Sequence, residues 1–298
     1  MDTRSLVSII LVNWNGLDVT LECVRSCLAL DYPRFHIVIV DNGSAADSVS
    51  ALRDAFAQEP CVHLIEVGRN LGFAEGNNLG MRYAREADAG FVWLLNNDTE
   101  VDPGALSALI EAAEAHPEAG LLGSKIYFFD RPTTIWFAGA GIDPIDGHSY
   151  HIGEGEVDCG QFDAVRETEY ITGCSILART EVIDQIGGMS DDFFLYWEEV
   201  DWCARAAEAG WKLLYVPGSR VWHKVSSSFS GNRQLQLRYE MRNRLLFHKR
   251  HRRDRLGRVM RHGVARVAYY AVRGHFGEVR GIGGGIIDFL RGRFGRIG

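Results

Sequence analysis

The chain has 298 residues, of which 46% are hydrophobic, with 7 prolines, 6 cysteines and a formal net charge of −7. This length and apolar content suit one large globular domain or two small ones, and they exclude a disordered chain or a small disulfide-stapled one. The cysteines form no CxxC pair and read as reduced thiols, and no run of about 18 apolar residues is present to span a membrane.

Residues 1–4 lead straight into a strand-like run without a signal-peptide pattern, which sets the expectation of a cytoplasmic protein. Residues 6–12 predict a strand ending in Asn13, Trp14, Asn15 and Gly16. A helix is expected over 18–30, with Val19, Cys23, Val24, Cys27 and Leu28 facing inward. The unit repeats with a strand over 36–40 that ends in Asp41 and Asn42, and another over 62–67 that runs into Asn70 and Gly72. The fourth strand, 91–95, ends in Asn96, Asn97 and Asp98. Apolar strands alternating with helices argue for an α/β fold with a mostly parallel, doubly wound sheet, whose strand ends converge on a nucleotide-sized cleft.

No GxGxxG follows the first strand and no GxxxxGK[ST] occurs, so dinucleotide hydride transfer and P-loop hydrolysis lose their main support. Asp98 instead places a carboxylate at the C-terminal end of a buried strand, where open α/β sheets bind ligands. A hard divalent cation bridging protein oxygens and a diphosphate suits that position. Asp102 as N-cap and Pro103 as first residue predict the start of the next helix.

Between Gly120 and Glu169 the pattern loosens, with hairpins and loops expected over 139–147 and 154–169, and His148 and His151 read as solvated residues rather than zinc ligands. Residues 170–178, including Gly173 and Cys174, return to strand character. The stretch 191–202 interleaves acids with aromatics and predicts a helix running to Ala209 and stopping at Gly210. A carboxylate acting as a general base needs a partly dry pocket, and Glu198, Glu199 and Asp201 all qualify by type. A strand over 212–216 and the run Val221, Trp222, His223 close the acidic body.

From Asn232 onward there are 17 Lys and Arg against 4 Asp and Glu, a net of +13 that leaves −20 for residues 1–231. This divides the chain into a body, 1–231, with halves at 1–118 and 119–231, and a basic amphipathic helical tail, 232–298. Helices are expected over 234–251 and from His262, with Gly281 to Gly285 as an interruption. The tail suits an anionic membrane surface, with packing on its own domain or on a second copy as a homodimer the alternative. Nucleic acid is disfavoured, because the tail carries no recognised binding motif and the body is acidic.

The strand ends, the Gly-Arg-Asn-Leu-Gly-Phe loop (68–73), Leu-Leu-Asn-Asn-Asp-Thr (94–99), the acidic-aromatic stretch and Val-Trp-His (221–223) together resemble the family-2 inverting glycosyltransferases of the GT-A fold, closest to rhamnosyltransferase-like members. The resemblance covers about residues 5–250. It implies a nucleotide-sugar-binding first half and an acceptor-binding, catalytic second half. It further implies a Mg²⁺ or Mn²⁺ ion held by Asp98 with His223, and a dTDP- or UDP-linked sugar against Trp14 and Asn15. Asp41 or Asn42 would stand near the base, with Asn70, Gly72, Asn77, Asn96 and Asn97 around the nucleotide. Gly173, Cys174, Trp197 and Glu198 would line the acceptor side. Motif alignment makes Glu199 the base, with Glu198 and Asp201 as alternatives. A saccharide or lipid-linked saccharide acceptor implies a protein peripheral on the inner face of the cell membrane. The rival reading is a catalytically degenerate scaffold of a glycan assembly complex, for which Asn96 and Asn97 in place of aspartates are the hint.

Overall fold

The computed structural model describes residues 5–225 and 232–297. The expectations placed on residues 1–4 and on a boundary at 231 lie outside the described residues. The first half is built from β1 (Val7–Asn13), α1 (Leu17–Leu28), β2 (Phe35–Asp41), α2 (Ala46–Ala55), β3 (Val62–Glu66), α3 (Phe73–Glu86), β4 (Phe91–Asn96), β5 (Thr99–Val101) and α4 (Ala105–Ala115). Then come β6 (Ala119–Phe128), β7 (Arg131–Phe137), β8 (Ala140–Ile142), β9 (Ser149–His151), β10 (Arg166–Glu167), β11 (Ser175–Arg179), α5 (Thr180–Ile186), α6 (Glu198–Glu208) and β12 (Lys212–His223). Three helices finish the chain: α7 (Arg233–His251), α8 (Arg253–Val272) and α9 (Phe276–Leu290).

The main sheet runs β10-β12-β6-β11-β4-β1-β2-β3, with β5 paired to β12 and β7 to β6. β3, β2, β1 and β4 are parallel, as the alternating pattern predicts, whereas β11 lies antiparallel between β4 and β6. Strands covered on both faces carry continuous apolar runs, and Ile9, Ile10, Leu11, Val38 and Val92 to Leu94 are accordingly buried. A buried hydroxyl chain crosses the centre: Trp93 Nε1 donates to Ser175 Oγ at 3.0 Å, and Ser124 Oγ lies 2.7 Å from Ser175 and 2.8 Å from Ser219. Each polar group in this dry layer therefore has a partner.

Several boundaries differ from expectation. α4 begins at Ala105, because Asp102 Oδ1 accepts from Gly104 N at 3.0 Å and forms a turn ahead of the helix. The long strand β6 falls where the loosened sequence pattern predicts no element. Its Gly120, Gly123 and Lys125 interrupt the apolar run, yet Lys125 is buried and donates to Asp158 Oδ2 at 2.8 Å and to Asp163 Oδ1 at 2.5 Å. His148 is exposed as expected, but His151 packs edge-on to Trp136 and Phe137, which corrects its reading as a solvated residue.

The tail is not a free appendage. α7 buries Leu237, Leu245, Leu246 and Phe247, each worth about 1.5–3 kcal/mol on burial, far more than an isolated helix of this length supplies for itself. The glycines do not interrupt α9; Gly281 and Gly285 lie on its packing face against α7. A Cβ on Gly281 would stand 2.7 Å from Gln234 O, and one on Gly285 would stand 2.5 Å from Arg238 O. Only hydrogen at those positions lets the two helices come this close. Arg238 locks the pair by donating to both oxygens of the buried Asp288, at 2.6 and 3.0 Å.

Candidate active site

The ends of β1, β2 and β4 meet in register, with Asn13 beside Asp41 and Val12 beside Asn96. Asp41 is consumed by this edge: Oδ2 accepts from Asn13 Nδ2 at 2.7 Å, while Oδ1 accepts from Ser44 N at 2.9 Å and Gly43 N at 3.2 Å. Asn42 accepts from Leu71 N at 2.9 Å and donates to Gly72 O at 3.0 Å, tying β2 to the 68–73 loop. Both side chains are buried, so they shape the floor of the cleft. Trp14, by contrast, is 42% exposed at the end of β1, with its ring available for stacking. Asn15 follows in the left-handed region at φ 55° and donates its N–H to Ser44 Oγ at 2.8 Å.

In the 68–73 loop, Asn70 Oδ1 accepts from Gly72 N at 2.8 Å. Gly72 has φ 89°, and a Cβ there would lie 2.6 Å from the Phe194 ring. The close neighbour that this glycine admits is thus the aromatic loop before α6. Asn77 is buried and donates to Phe73 O at 3.0 Å within α3.

At the end of β4, Asp98 Oδ1 lies 3.0 Å from His223 Nε2, and Asn96 Nδ2 is 3.4 Å from the same nitrogen. β5 pairs with the end of β12 and brings Thr99 opposite His223, which is how residues so distant in sequence meet. Asn97 turns inward and donates to Thr20 Oγ1 at 2.8 Å. Among the described residues no three His, Cys, Asp or Glu side chains form a closed metal cage. One carboxylate and one imidazole facing each other are a donor pair that would suit a divalent ion.

The third part of the site is the turn before α6. Phe194, Tyr196 and Trp197 all have positive φ, at 62°, 66° and 74°, so α6 begins at Glu198 and not at Asp191. Trp197 packs against Phe247 and His248 and is 5% exposed, which corrects the expectation of an indole face open to a sugar. The three acids separate clearly. Asp201 is fully buried and accepts from Arg205 Nε at 3.0 Å and Arg250 Nη1 at 3.2 Å, with His251 Nε2 at 2.9 Å. Burial alone would raise its pKa, but these partners outweigh that and hold it below the ordinary carboxyl value. Glu198 and Glu199 each keep one buried oxygen with no partner among the described residues. Burial, and then the Glu199 charge, push Glu198 well above the usual range, while burial raises Glu199 only to about 6 against several backbone N–H contacts.

Gly173 abuts Glu199: a Cβ there would be 3.7 Å from Glu199 Cβ. The next residue, Cys174, accepts from Asn96 N at 2.9 Å through its carbonyl. Its thiol is buried, and burial followed by the Asp98 charge pushes its pKa well up, so it is held protonated and is no nucleophile.

A model of glycosyl transferase family 2 matches residues 8–187. The chain belongs to that family. This family-2 glycosyltransferase is 27% identical over 237 residues to an uncharacterized protein, y4gI, of Sinorhizobium fredii; the match covers 76% of the chain and 25% of that protein. It is 29% identical over 210 residues to the N-acetylglucosaminyl-diphospho-decaprenol L-rhamnosyltransferase of Mycobacterium tuberculosis, covering 64% of the chain and 67% of that enzyme. The chain therefore spans a quarter of the one relative and about two thirds of the other. In fold it is similar to the mannosyltransferase PcManGT of Pyrobaculum calidifontis, solved with GDP-Man and Mn²⁺, at a TM-score of 0.63 and 15% identity. That match covers 97% of this chain and 88% of the other. The GT-A arrangement expected from the motifs is thus the arrangement found.

What motif reading missed in this glycosyltransferase is the support under the acidic turn. Asn243 Nδ2 donates to the carbonyls of Phe193, Leu195 and Tyr196 at 2.9, 2.8 and 2.8 Å, and Arg242 Nη2 reaches Phe193 O at 3.0 Å. The one sequence signal was an Arg-Asn pair inside an otherwise apolar and basic helix.

Proposed function

We propose that this glycosyltransferase moves a sugar, rhamnose foremost, from a dTDP- or UDP-linked donor to a hydroxyl of a saccharide acceptor, with inversion at the anomeric carbon. The observation that carries the reading is the Asn96–Cys174 hydrogen bond. It sets the strand end bearing Asp98 beside the loop whose Gly173 abuts Glu199, so diphosphate and base stations share one cleft.

In the proposed reaction the acceptor oxygen attacks the anomeric carbon as the bond to the diphosphate oxygen breaks. Glu199 takes the acceptor proton, and the nucleoside diphosphate leaves with the bonding pair. Burial supports Glu199 in this role: a carboxylate with a pKa of about 6 is ionised near neutral pH yet basic enough to accept a proton. Glu198 is pushed further towards its neutral form by burial and then by the Glu199 charge, and Asp201 is committed to its cations. Two neighbouring carboxyls with separated pKa values are the pattern expected of an acid/base site. Trp14 offers its exposed ring to the nucleobase. Asp98 and His223 are the residues that would hold Mg²⁺ or Mn²⁺, which supplies charge neutralisation at the departing diphosphate.

The Mycobacterium relative is named for a diphospho-decaprenol substrate, and we extend that chemistry here to a lipid-linked acceptor. Among the described residues no helix is long and apolar enough to cross a membrane. α8 and the start of α9 nevertheless expose Val264, Tyr269, Val272 and Phe276 among Arg261, Arg273 and Arg280, which supports attachment to an anionic membrane surface.

The test is release of nucleoside diphosphate from dTDP-rhamnose, UDP-galactofuranose, UDP-N-acetylglucosamine, UDP-glucose and GDP-mannose, with Mn²⁺ or Mg²⁺ and then with EDTA. Turnover of one donor that stops with EDTA is expected. Absence of both turnover and nucleotide binding would favour the scaffold reading.

A further inference from the structure

His223 is anchored at one ring nitrogen only. Its Nε2 lies 3.0 Å from Asp98 Oδ1, whereas its Nδ1 is buried and has no hydrogen-bond partner among the described residues. A histidine that ligates a metal through one nitrogen is ordinarily oriented by a hydrogen bond from the other, to a carboxylate or a backbone carbonyl. That restraint is missing here. Rotation about the last side-chain bond of a histidine is broad, so an unrestrained ring would carry Nε2 away from Asp98. Packing has to hold it instead.

Trp136 supplies that packing. Its indole meets the His223 ring edge-on, with centroids 4.6 Å apart and planes at 71°. On β7, Ile135 pairs with Tyr127 of β6 and Phe137 with Ile126, so two steps along β7 answer one along β6 and Trp136 is the extra residue of a β-bulge. Bulges free one residue from the ladder and re-aim its side chain, and they are common beside active sites. The Trp136 carbonyl finds its partner on β9, where His151 Nδ1 lies 3.1 Å away, and the His151 ring packs edge-on against the same indole at 4.6 Å. Trp222 serves this hairpin differently. It stacks on Tyr127 with centroids 5.7 Å apart and donates Nε1–H to Pro132 O at 3.1 Å, which ties β7 to β12.

We propose that Trp136 is a positioning residue of the Asp98–His223 station. The bulge aims its indole at the imidazole, and this contact keeps Nε2 turned towards Asp98 in place of the hydrogen bond that Nδ1 lacks. What the pair would receive, a divalent ion on a nucleoside diphosphate, is taken from the proposed function, and the inference rests on that reading. The effect of Trp136 passes through His223 alone. Edge-to-face aromatic pairs are worth more than the area they bury, and loss of the support behind a ligating histidine weakens metal binding.

The full-length protein is titrated by calorimetry with dTDP and with UDP, once with saturating Mn²⁺ and once with EDTA. The ratio of the two Kd values measures how strongly the ion ties nucleotide to protein. Mn²⁺ is expected to tighten one nucleotide on the wild type. Trp136→Leu and His223→Ala are each expected to lower that gain about tenfold and to leave the Kd in EDTA unchanged. Their double variant is expected to lose no more than either alone, because the indole has nothing to hold once the imidazole is gone. Trp136→Phe keeps a smaller ring and decides the matter if Trp136→Leu does not fold; it should lose about threefold, a loss that vanishes in the His223→Ala background. Trp222→Phe, which removes the Pro132 hydrogen bond from the same hairpin, should lower the Tm and keep the gain, so loosening of β7 is told apart from loss of the indole. A full gain in both Trp136 variants, losses that add in the double variant, or an equal loss in Trp222→Phe overturns the role of Trp136 while the His223 effect stands. A wild type whose nucleotide binding gains nothing from Mn²⁺, or a full gain in His223→Ala, overturns the Asp98–His223 station and the role of Trp136 with it.

Discussion

The side-chain amide of Asn243 donates to the backbone carbonyl of Tyr196 at 2.8 Å, so a helix of the tail holds the residue two positions before Glu198. Together with the bonds to Phe193 and Leu195, it fixes a turn in which three non-glycine residues have positive φ. Such conformations cost about 1–3 kcal/mol each and persist only where surrounding contacts over-determine them. The tail therefore sets the geometry of the acidic turn. Asn243→Ala is expected to lower stability by about 2–3 kcal/mol, from its lost donors, and to cut kcat while leaving the nucleotide Kd unchanged. Asn243→Asp, which replaces donors with acceptors facing three carbonyls, is expected to be worse than alanine in the same denaturant titration.

Removal of the Glu199 carboxylate should separate binding from chemistry. Glu199→Gln is expected to bind nucleotide normally and to lose at least about 100-fold in kcat, within the usual range for a general base. In the wild type, kcat/KM should fall as pH drops through about 6, because protonation removes the base. A wild-type profile flat from pH 5 to 7, or appreciable turnover by Glu199→Gln, would move the role to Glu198.

Asp98 is expected to couple nucleotide to metal. UDP or dTDP with Mn²⁺ should raise the Tm of the wild type, and Asp98→Ala should remove that shift while keeping the metal-free Tm. His223→Ala should weaken it without abolishing it, since a second ligand contributes less than the sole carboxylate. A full metal-dependent shift in Asp98→Ala would place the ion elsewhere.

The Asp201–His251 contact makes stability depend on pH from both sides. Asp201 is held below the ordinary carboxyl value, so its contribution is present above about pH 4 and is lost as pH falls through its folded value. His251 is raised: burial opposes this, but the Asp201 and Glu208 contacts prevail. Its contribution is present below about pH 6.5 and is lost as pH rises through its folded value. The contact is therefore worth most between these limits. Urea unfolding of His251→Gln should show no such loss above pH 6.5, and Asp201→Ala should be destabilised by about 1–3 kcal/mol because it removes the buried acceptor of Arg205, Arg250 and His251.

Gly72→Ala is a local test of how the 68–73 loop meets the acidic turn. With φ 89° and a Cβ only 2.6 Å from the Phe194 ring, alanine must displace that ring or the loop. A loss of about 1–3 kcal/mol is expected, together with weaker nucleotide binding; an unchanged Tm would show that the loop yields freely.

The first four strands and the carboxylate at the end of β4 were legible because doubly covered parallel strands need unbroken apolar runs, and their polar ends stand out against them. β6 was not legible. Lys125 breaks its pattern, and only the Asp158 and Asp163 carboxylates, more than thirty residues away, make that lysine a core residue. The glycines of α9 read as a break for the same kind of reason: Gly281 and Gly285 admit the backbone of α7, which no local rule records.

The sequence by itself determined the family, the sheet of the first half, the chemical types clustered at its edge and the separation of an acidic body from a basic tail. Periodicity and motif spacing are local properties of a chain. Only the tertiary structure distinguished Glu198, Glu199 and Asp201, since three acids within four positions differ through desolvation and through partners on α7. It alone decided that the tail is a structural part of the site. Charge burial is set by everything that surrounds a group, and that is a property of the fold.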